Sequence, residues 1–393
     1  MGKGRVYQDP QFRYLDSYSE REILRLTDYL GHSSHFYFTD PCWFNDNRSF
    51  VFTSDRENQS NLYRYDLDDG QITQMTDLAE RGRSVGRGRP GGCVSTANHA
   101  LYYGWQGAIH ELDLDTLEER VLWRETPPMH IRGRANPTAD GKYVCVMVME
   151  EQPEESTRIS FSYSRFREYF SLKPLTRIVR IEVASGETEV IQEDKRYMGH
   201  VNTSPTLPGI LTYCHEGPWD LIEQRIWGLD IQNGETWKVR PQEGDYSVGH
   251  EYWFADGVHV GYHGRSRVEG GEHVFGHIKW DNSDWVEDHF PFHSTHFHSL
   301  DETLIVGDGT PAFVFSRESQ ARPFIQLFKW DGERYVGPKI LAFHRSTFND
   351  QHAHCHPRFT PDGKAVLYTS DLTAYSNMYL VEVGEFEELP DLE

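Results

Sequence analysis

The chain has 393 residues, of which 37% are hydrophobic and 13% aromatic, and its formal net charge is −22 at pH 7. Because a single hydrophobic core rarely exceeds ~250–300 residues, this length predicts two domains or one large modular fold. The negative charge argues against nucleic acid and anionic membranes as partners. No segment approaches the ~20 apolar residues of a membrane-spanning helix.

The N-terminus and the cysteines both indicate a cytoplasmic protein. Residues 1–10 carry no apolar run after their positive charges, so we expect no secretory signal. The five cysteines are scattered and lack CxxC spacing, which predicts reduced thiols rather than a disulfide framework. They are Cys42, Cys93, Cys145, Cys214 and Cys355.

A pattern of short alternating strands separated by turn residues recurs along the chain. Its copies start near residues 40, 92, 136, 200, 250, 296 and 354, which makes seven repeats. Four-stranded units repeated every ~40–50 residues are the signature of a β-propeller, in which each unit forms a blade. The sequence therefore predicts an all-β fold, a seven-bladed β-propeller, with residues 1–393 forming a single domain.

The two ends of the chain predict how the propeller closes. The seventh repeat ends after its third strand, near Val383, whereas residues 21–28 resemble the fourth strand of the first repeat, residues 71–77. We predict that this N-terminal strand completes the last blade and leaves no exposed edge. The alternative is an amphipathic helix over residues 19–30. The strand is favoured because a missing strand and a spare one occur together.

The third repeat carries an insertion at about residues 151–174, which makes it about twenty residues longer than its counterparts. Long insertions on a repeat scaffold usually lie on the binding face. We interpret this one as a wall of a binding site, and a packing or disordered loop is the alternative. The side chains behind this interpretation are Phe161, Tyr163, Arg165, Phe166, Arg167, Tyr169 and Phe170.

Histidines recur at the starts of the last four repeats. They are His200 in the fourth, His250 in the fifth, His296 and His298 in the sixth, and His354 and His356 in the seventh. The first strand of each propeller blade lines a central channel, so we expect at least four of these imidazoles to converge. Two from one strand and one from a neighbour would make a three-nitrogen metal site with open positions. Channel histidines that bind only water are the alternative.

The segment of residues 351–359 holds the densest group of histidines. If it is extended, the side chains of His352, His354 and His356 share one face.

Arg225 falls at the start of an apparent third strand of the fourth repeat. An arginine at such a position is normally solvated or stacked on the surface.

Several stretches of the later repeats resemble the oligogalacturonate lyases, a family of seven-bladed propeller enzymes that degrade pectin. They occur in the family's order and span most of repeats four to seven. The stretches are residues 213–220 with 224–227, 248–253, 294–296 with 304–309, and 351–359.

The resemblance implies a metal site and a base. It implies a manganese ion held by His296, Gln351, His354 and His356, with His250 as the general base and Arg225 beside it. His200 and His215 are further candidates, for substrate binding. Strand parity alone would not have selected Gln351, and it leaves His298 and His352 as rival ligands. Zn²⁺ or Ni²⁺ is the alternative to Mn²⁺.

The implied reaction is a β-elimination on a small anionic oligosaccharide. The substrates would be digalacturonate and unsaturated digalacturonate, cleaved to 5-keto-4-deoxyuronate in pectin catabolism. The reaction removes a proton α to a carboxylate, which requires neutralisation of the carboxylate by a cation and a base near neutral pH. A neutral histidine is such a base.

Two other functions are alternatives to this one. A non-catalytic propeller that binds a protein or peptide predicts no histidine metal site and tolerance of His250→Ala. The propeller half of a serine peptidase is disfavoured because the repeats occupy the whole chain and no Gly-x-Ser-x-Gly motif is present.

Overall fold

The computed structural model describes residues 2–78, 90–152, 166–242, 246–268, 270–290, 294–310 and 323–392. Its regular structure is almost entirely β: seven antiparallel sheets of four to six strands, called blades 1 to 7 here. The predicted fold class, an all-β seven-bladed β-propeller, is confirmed. No helix in the described part of the chain is long and apolar enough to cross a membrane.

The chain divides into two compact units. The first comprises Met1–Gly91 and Asp288–Glu393, and the second comprises Gly92–Glu287. Blades 1, 6 and 7 belong to the first unit, and blades 2 to 5 belong to the second, whose C-terminal boundary falls inside the last strand of blade 5. The single domain expected from the sequence stays a prediction.

The N-terminal strands are shared between blades 1 and 7. They are β1 (Val6–Gln8), β2 (Phe12–Leu15), β3 (Glu22–Arg25), β4 (Ser33–His35), β5 (Trp43–Phe44), β6 (Ser49–Ser54), β7 (Asn61–Asp66) and β8 (Gln71–Gln74). Blade 1 has the order β1-β8-β7-β6-β4, with β5 also paired to β6. A 3₁₀ helix, Arg56–Asn58, joins β6 to β7.

Blades 2 and 3 follow directly. Blade 2 contains β9 (Gly92–Ser95), β10 (Ala100–Trp105), β11 (Ala108–Asp113) and β12 (Glu119–Arg124). Blade 3 contains β13 (Met129–Ile131), β14 (Asn136–Pro137), β15 (Tyr143–Glu150), β16 (Leu175–Glu182) and β17 (Thr188–Lys195).

Blades 4 and 5 complete the second unit. Blade 4 contains β18 (Met198–Thr203), β19 (Ile210–His215), β20 (Ile226–Asp230) and β21 (Thr236–Lys238). Blade 5 contains β22 (Tyr246–Trp253), β23 (His259–Ser266), β24 (His273–Lys279) and β25 (Val286–Phe290).

Blades 6 and 7 return to the first unit. Blade 6 contains β26 (Phe297–Ser299), β27 (Leu304–Gly307), β28 (Phe324–Trp330) and β29 (Tyr335–Phe343). Blade 7 contains β30 (Arg358–Phe359), β31 (Ala365–Ser370) and β32 (Asn377–Glu382), and 3₁₀ helices occupy Gln351–Ala353 and Phe386–Glu388.

The N-terminal strand closes blade 7 as predicted. The sheet order is β2-β3-β32-β31-β30, and Ile23 lies opposite Val381 in the register between β3 and β32. Ile23 is fully buried in the core of this blade. The alternative helix over residues 19–30 is wrong, because burial of Ile23 in a sheet stabilises the extended conformation.

Three strands near the N-terminus, β1, β2 and β4, were not predicted. β2 pairs with β3 on the outside of blade 7, and β1 pairs with β8 on the outside of blade 1. Asp9, between them, is buried and accepts hydrogen bonds from Arg56 Nη2 at 2.6 Å and from the backbone N–H of Asp28 at 2.9 Å. This buried ion pair fixes the N-terminal segment to blade 1.

Part of the predicted insertion is a helix. Residues 153–165, with Phe161, Tyr163 and Arg165, lie outside the described residues, and α1 (Phe166–Ser171) follows them. The ring of Tyr169 contacts that of Tyr197 edge-on at 5.3 Å. Arg167 pairs with Asp220 at 2.5 Å. The helix therefore packs against blade 4, on the loop that follows β19.

Candidate active site

Three of the predicted histidines come together in the first unit. His296 lies immediately before β26, and His354 and His356 lie just before β30. One ring nitrogen from each lies within 4.8 Å of the others, and the ring centroids of His296 and His356 are 4.3 Å apart. A divalent cation holds imidazole nitrogens at roughly 2 Å, so nitrogens this close can share one ion after small side-chain rotations.

Asp308 orients His296. Its Oδ2 accepts a hydrogen bond from Nδ1 of His296 at 2.7 Å, and its Oδ1 accepts one from the backbone N–H of His296 at 2.8 Å. Asp308 is fully buried. A carboxylate on Nδ1 leaves the lone pair of Nε2 for a cation, the arrangement common behind metal-ligating histidines. Asp308 lies in one of the stretches that resemble the family, residues 304–309, but nothing in the sequence alone indicates its role.

His354 is neutral at pH 7. Burial and the neighbouring His296 lower the pKa of His354 to about 4, against the opposing effect of the carboxylates of Asp308 and Asp350. Its Nδ1 is buried and has no hydrogen-bond partner among the described residues. A buried nitrogen of this kind is costly to leave unsatisfied. A cation bound by the three histidines would satisfy such a nitrogen, so the residues present fit a metal.

The backbone of the 351–356 segment differs from the extended segment considered in the sequence. Gln351–Ala353 form a 3₁₀ helix, and β30 begins only at Arg358. His356 has a φ of +42°, a left-handed conformation that non-glycine residues adopt at a cost. The turn at His356, rather than strand alternation, therefore brings its ring to His296.

The rival ligands lie elsewhere. His298, on β26, accepts a hydrogen bond on Nδ1 from the backbone N–H of Phe359 at 3.2 Å. His352, in the 3₁₀ helix, lies 3.7 Å from the carboxylate of Asp350. Neither joins the three-histidine group. Gln351 is exposed in the same 3₁₀ helix, three residues before His354.

Aromatic rings surround the three histidines. Tyr37 contacts His356 edge-on, with ring centroids 4.8 Å apart, and Phe38 lies 5.7 Å from His296. The ring of Phe348 lies 4.8 Å from that of His354. These rings restrict the imidazoles to a few rotamers. They could not be predicted, because nothing in the spacing of Tyr37, Phe38 and Phe348 sets them apart from core aromatics.

Arg225 lies in the second unit, where two carboxylates hold it. Immediately before β20, it is 4% exposed, which overturns the surface position normal for an arginine there. Its Nε donates to Glu251 at 3.2 Å, and Nη1 and Nη2 donate to Glu216 at 3.3 and 3.4 Å. Burial raises the pKa of Glu216, but Arg225 and His200 outweigh it and hold that pKa well below its usual range.

His200 is attached to the same carboxylate. Its Nε2 lies 3.4 Å from Glu216 Oε2. Burial lowers the pKa of His200, but the hydrogen bond to Glu216 and the charge of Glu251 outweigh burial and raise the pKa overall. Although His200, Cys214 and Glu216 also bring three ligand atoms within 4.8 Å, the guanidinium already bound to Glu216 opposes a second cation there.

His250 lies close to Arg225. Both side chains contact Trp219, whose ring centroid is 6.2 Å from that of His250 and 5.5 Å from Cζ of Arg225. A Cβ atom on Gly249 would lie 2.6 Å from Arg225 Nε. Only glycine at position 249 therefore lets the guanidinium lie against the strand that carries His250.

His200 and His250 have the same local backbone. Each follows a glycine, each has a positive φ (+49° and +52°), and each lies where the strand register shifts, in β18 and β22 respectively. A β-bulge of this kind turns a side chain out of the sheet's alternation. The common irregularity explains why histidines at equivalent repeat positions leave the sheet core.

His215 lies away from this cluster. Its ring packs against Trp227, with centroids 5.0 Å apart, and its Nε2 is 3.8 Å from Asp194. Burial and the nearby Arg196 lower its pKa to about 4. The predicted residues thus form two groups: His296, His354 and His356 in the first unit, and Arg225, His250 and His200 in the second. The convergence of at least four imidazoles stays a prediction.

The protein is a β-propeller with a group of imidazoles suited to a divalent cation. It also has a buried arginine near another imidazole. These features define a class of metal-binding propeller proteins. Within that class, the family model for oligogalacturonate lyase matches residues 1–386. The chain belongs to the oligogalacturonate lyase family. The predicted family and its enzyme class, a lyase, are confirmed, and the non-catalytic and peptidase alternatives are set aside.

The relatives span the full chain. The oligogalacturonide lyase of Pectobacterium atrosepticum is 28% identical over 395 residues, covering 98% of this chain and 99% of the relative. The oligogalacturonate lyase of Dickeya dadantii is 28% identical over 402 residues, again covering 98% and 99%. A solved structure, an oligogalacturonate lyase in complex with manganese, is 25% identical, with a TM-score of 0.84 over 98% of this chain and 99% of that one.

Proposed function

We propose that this chain is a metal-dependent lyase that cleaves digalacturonate and unsaturated digalacturonate by β-elimination to 5-keto-4-deoxyuronate, in the catabolism of pectin. The observation that carries the proposal is the group formed by His296, His354 and His356, whose ring nitrogens lie within 4.8 Å of one another. Membership of the oligogalacturonate lyase family supports the substrate class.

The proposed cofactor is Mn²⁺, held by His296, His354 and His356 with the amide oxygen of Gln351. The relative solved with manganese supports this choice of metal. When bound, the ion supplies positive charge that neutralises a uronate carboxylate and stabilises the negative charge that develops on it. Neutral imidazoles and an amide leave the whole charge of the cation available for that purpose.

His250 is the proposed general base. It takes the proton from C5 of the uronate, the C5–H electron pair forms the C4–C5 double bond, and the C4–O bond to the leaving sugar breaks. General base catalysis of this type contributes about 10²–10⁴-fold. Arg225 lies near His250, with Trp219 against both side chains, so the guanidinium and the base can act on neighbouring atoms of the substrate.

Arg225 keeps donors for the substrate. A guanidinium has about five N–H donors, and three nitrogens of Arg225 each direct one to Glu251 or Glu216. The two remaining N–H groups, one on each terminal nitrogen, can donate to an anionic oxygen. The carboxylates thus hold the plane of the guanidinium fixed without using all its donors.

The two further histidines differ in their suitability for substrate binding. His200, with a raised pKa and 25% of its side chain exposed, is suited to donate to a uronate carboxylate. His215, with a pKa of about 4, is neutral, and its part in substrate binding stays a prediction. A cytoplasmic location is part of the proposal, and the five buried free cysteines support it.

The test measures digalacturonate cleavage by product formation, with and without a chelator, for the unaltered protein and His250→Ala. We expect chelation and the substitution each to lower the rate by about 100-fold or more, and Mn²⁺ to restore the chelated protein but not the variant. His259→Ala, at a partly exposed histidine in the same blade, is the matched control. Activity that survives both treatments would contradict the proposal.

A further inference from the structure

The base proposed above is hydrogen-bonded to a second histidine. Nδ1 of His250 and Nε2 of His263 are 2.9 Å apart, and the two rings lie at 29° to one another with centroids 5.1 Å apart. His263 is 7% exposed. It lies on β23, in the strand interior, and is paired in register with Gly249, the residue before His250.

The backbone makes this contact. His250 has a φ of +52° at the register shift of β22, which directs its ring toward the neighbouring strand instead of along its own sheet face. Trp219 contacts the His250 ring at 6.2 Å, with an interplanar angle of 78°. A strained backbone at this position persists only where surrounding contacts determine it. The pair with His263 is one of those contacts.

We propose that His263 is a positioning residue, which holds His250 in the tautomer with its proton on Nδ1. In a neutral imidazole one nitrogen carries the proton and the other carries a lone pair. If Nδ1–H of His250 donates to Nε2 of His263, the lone pair of His250 lies on Nε2, where it can take a proton from substrate. The inference rests on the proposed role of His250 as the base.

The choice of an imidazole partner has a chemical consequence. A carboxylate in the place of His263 would favour the imidazolium form of His250 and raise its pKa, which would leave less of the base in its neutral form at pH 7. A neutral imidazole orients the ring without that cost. The two carboxylates of the neighbouring cluster, Glu216 and Glu251, are instead bound to Arg225.

His263 neither gains nor loses a proton during the proton transfer from substrate to His250. The C5–H bond of the uronate breaks, an Nε2–H bond forms on His250, and His250 becomes an imidazolium. His263 keeps its own proton and accepts a stronger, charge-assisted hydrogen bond from Nδ1–H of His250. The hydrogen bond therefore strengthens as the proton moves, which stabilises the transition state more than the ground state.

The first test uses His263→Phe, which keeps the ring volume but cannot accept a hydrogen bond, and His263→Gln, which can. We expect His263→Phe to lower kcat by about 10- to 100-fold with KM within about twofold, and His263→Gln to recover most of that loss. His277→Phe, on the neighbouring strand β24, is the matched control, with kcat unchanged. Equal kcat for His263→Phe and the control would overturn the inference.

The second test does not depend on activity. Protein labelled with ¹⁵N-histidine, with the His250 signals assigned by their loss in His250→Ala, reports which ring nitrogen is protonated. We expect Nδ1–H in the unaltered protein and a mixture with Nε2–H in His263→Phe. A proton on Nε2 of His250 in the unaltered protein would sink the inference while leaving the lyase proposal intact. An active His250→Ala would instead refute the base itself.

Discussion

The carboxylate of Asp308 illustrates how a site can depend on a residue that binds no ligand. Its two oxygens accept from Nδ1 and from the backbone N–H of His296, so the ring and the main chain are both fixed. His344 donates from Nε2 to the backbone carbonyl of Asp308 at 3.0 Å. His344 is itself fixed, since its Nδ1 accepts from the backbone N–H of Ser346. The orientation of the His296 ring therefore depends on two successive layers of buried polar contacts.

We expect Asp308→Asn to weaken manganese binding by about 10- to 100-fold, because the amide disfavours the tautomer with Nε2 facing the cation. Equilibrium dialysis or titration calorimetry with Mn²⁺ measures the change. Asp301→Asn alters a side chain that only caps an exposed turn in the same blade, and it should leave the affinity as it is. Equal affinities for the two variants would argue against His296 as a ligand.

Gly249 offers a test of the Arg225 cluster. A methyl group there would lie 2.6 Å from Arg225 Nε and 2.7 Å from Trp219, so Gly249→Ala must displace one or both side chains. We expect kcat/KM for digalacturonate to fall by about tenfold or more, since small displacements of positioning groups are costly. Gly209→Ala, where a Cβ meets nothing within 4 Å, is the control. Unchanged kcat/KM for Gly249→Ala would mean that Arg225 needs no fixed position.

At the scale of elements, the sequence predicted a strand pairing correctly where two irregularities of the repeat pattern pointed to the same pairing. A missing fourth strand and a spare N-terminal one predicted β3, and its pairing with β32 is what the fold contains. The partner of His250 could not be predicted this way. His263 faces it only because Gly249 and His263 lie opposite each other in β22 and β23, and a strand register depends on contacts along the whole pair.

In the segment before β30, the sequence pattern was misleading. Alternation of His352, His354 and His356 suggested a strand, but Asp350 caps a 3₁₀ helix through the backbone N–H of His352 at 2.9 Å. Local capping outweighed the periodic pattern, as is common for Asp before a turn. His354 and His356 nevertheless lie beside His296, because both follow that helix.

Closure of blade 7 by β3 predicts a large effect of a single core substitution. Ile23 is fully buried and Leu15, in the adjacent β2, is 69% exposed. We expect Ile23→Ala to lower the free energy of unfolding by about 2–5 kcal/mol, and Leu15→Ala to change it by less than about 0.5 kcal/mol. Urea denaturation followed by tryptophan fluorescence measures both. Similar values for the two variants would mean that the N-terminal strand contributes little to stability.

At the scale of the whole molecule, a cation bound to the folded state alone must stabilise that state. At a free Mn²⁺ concentration of 100 times Kd, the free energy of unfolding should rise by about 2.7 kcal/mol. His354→Ala should lose this rise, whereas His352→Ala, outside the three-histidine group, should keep it. Thermal unfolding with and without Mn²⁺ measures the difference. A rise that persists in His354→Ala would place the ion elsewhere.

Blade 7 draws its strands from both ends of the polypeptide, with β3 beside β32. During synthesis, β3 leaves the ribosome about 20–70 s before its partner, at typical elongation rates of about 5–20 residues per second. Until then the edge of β3 that pairs with β32 lacks its partner strand, although β2 can already pair with the other edge. The complete sheet of blade 7 can therefore form only after β32 has been synthesised.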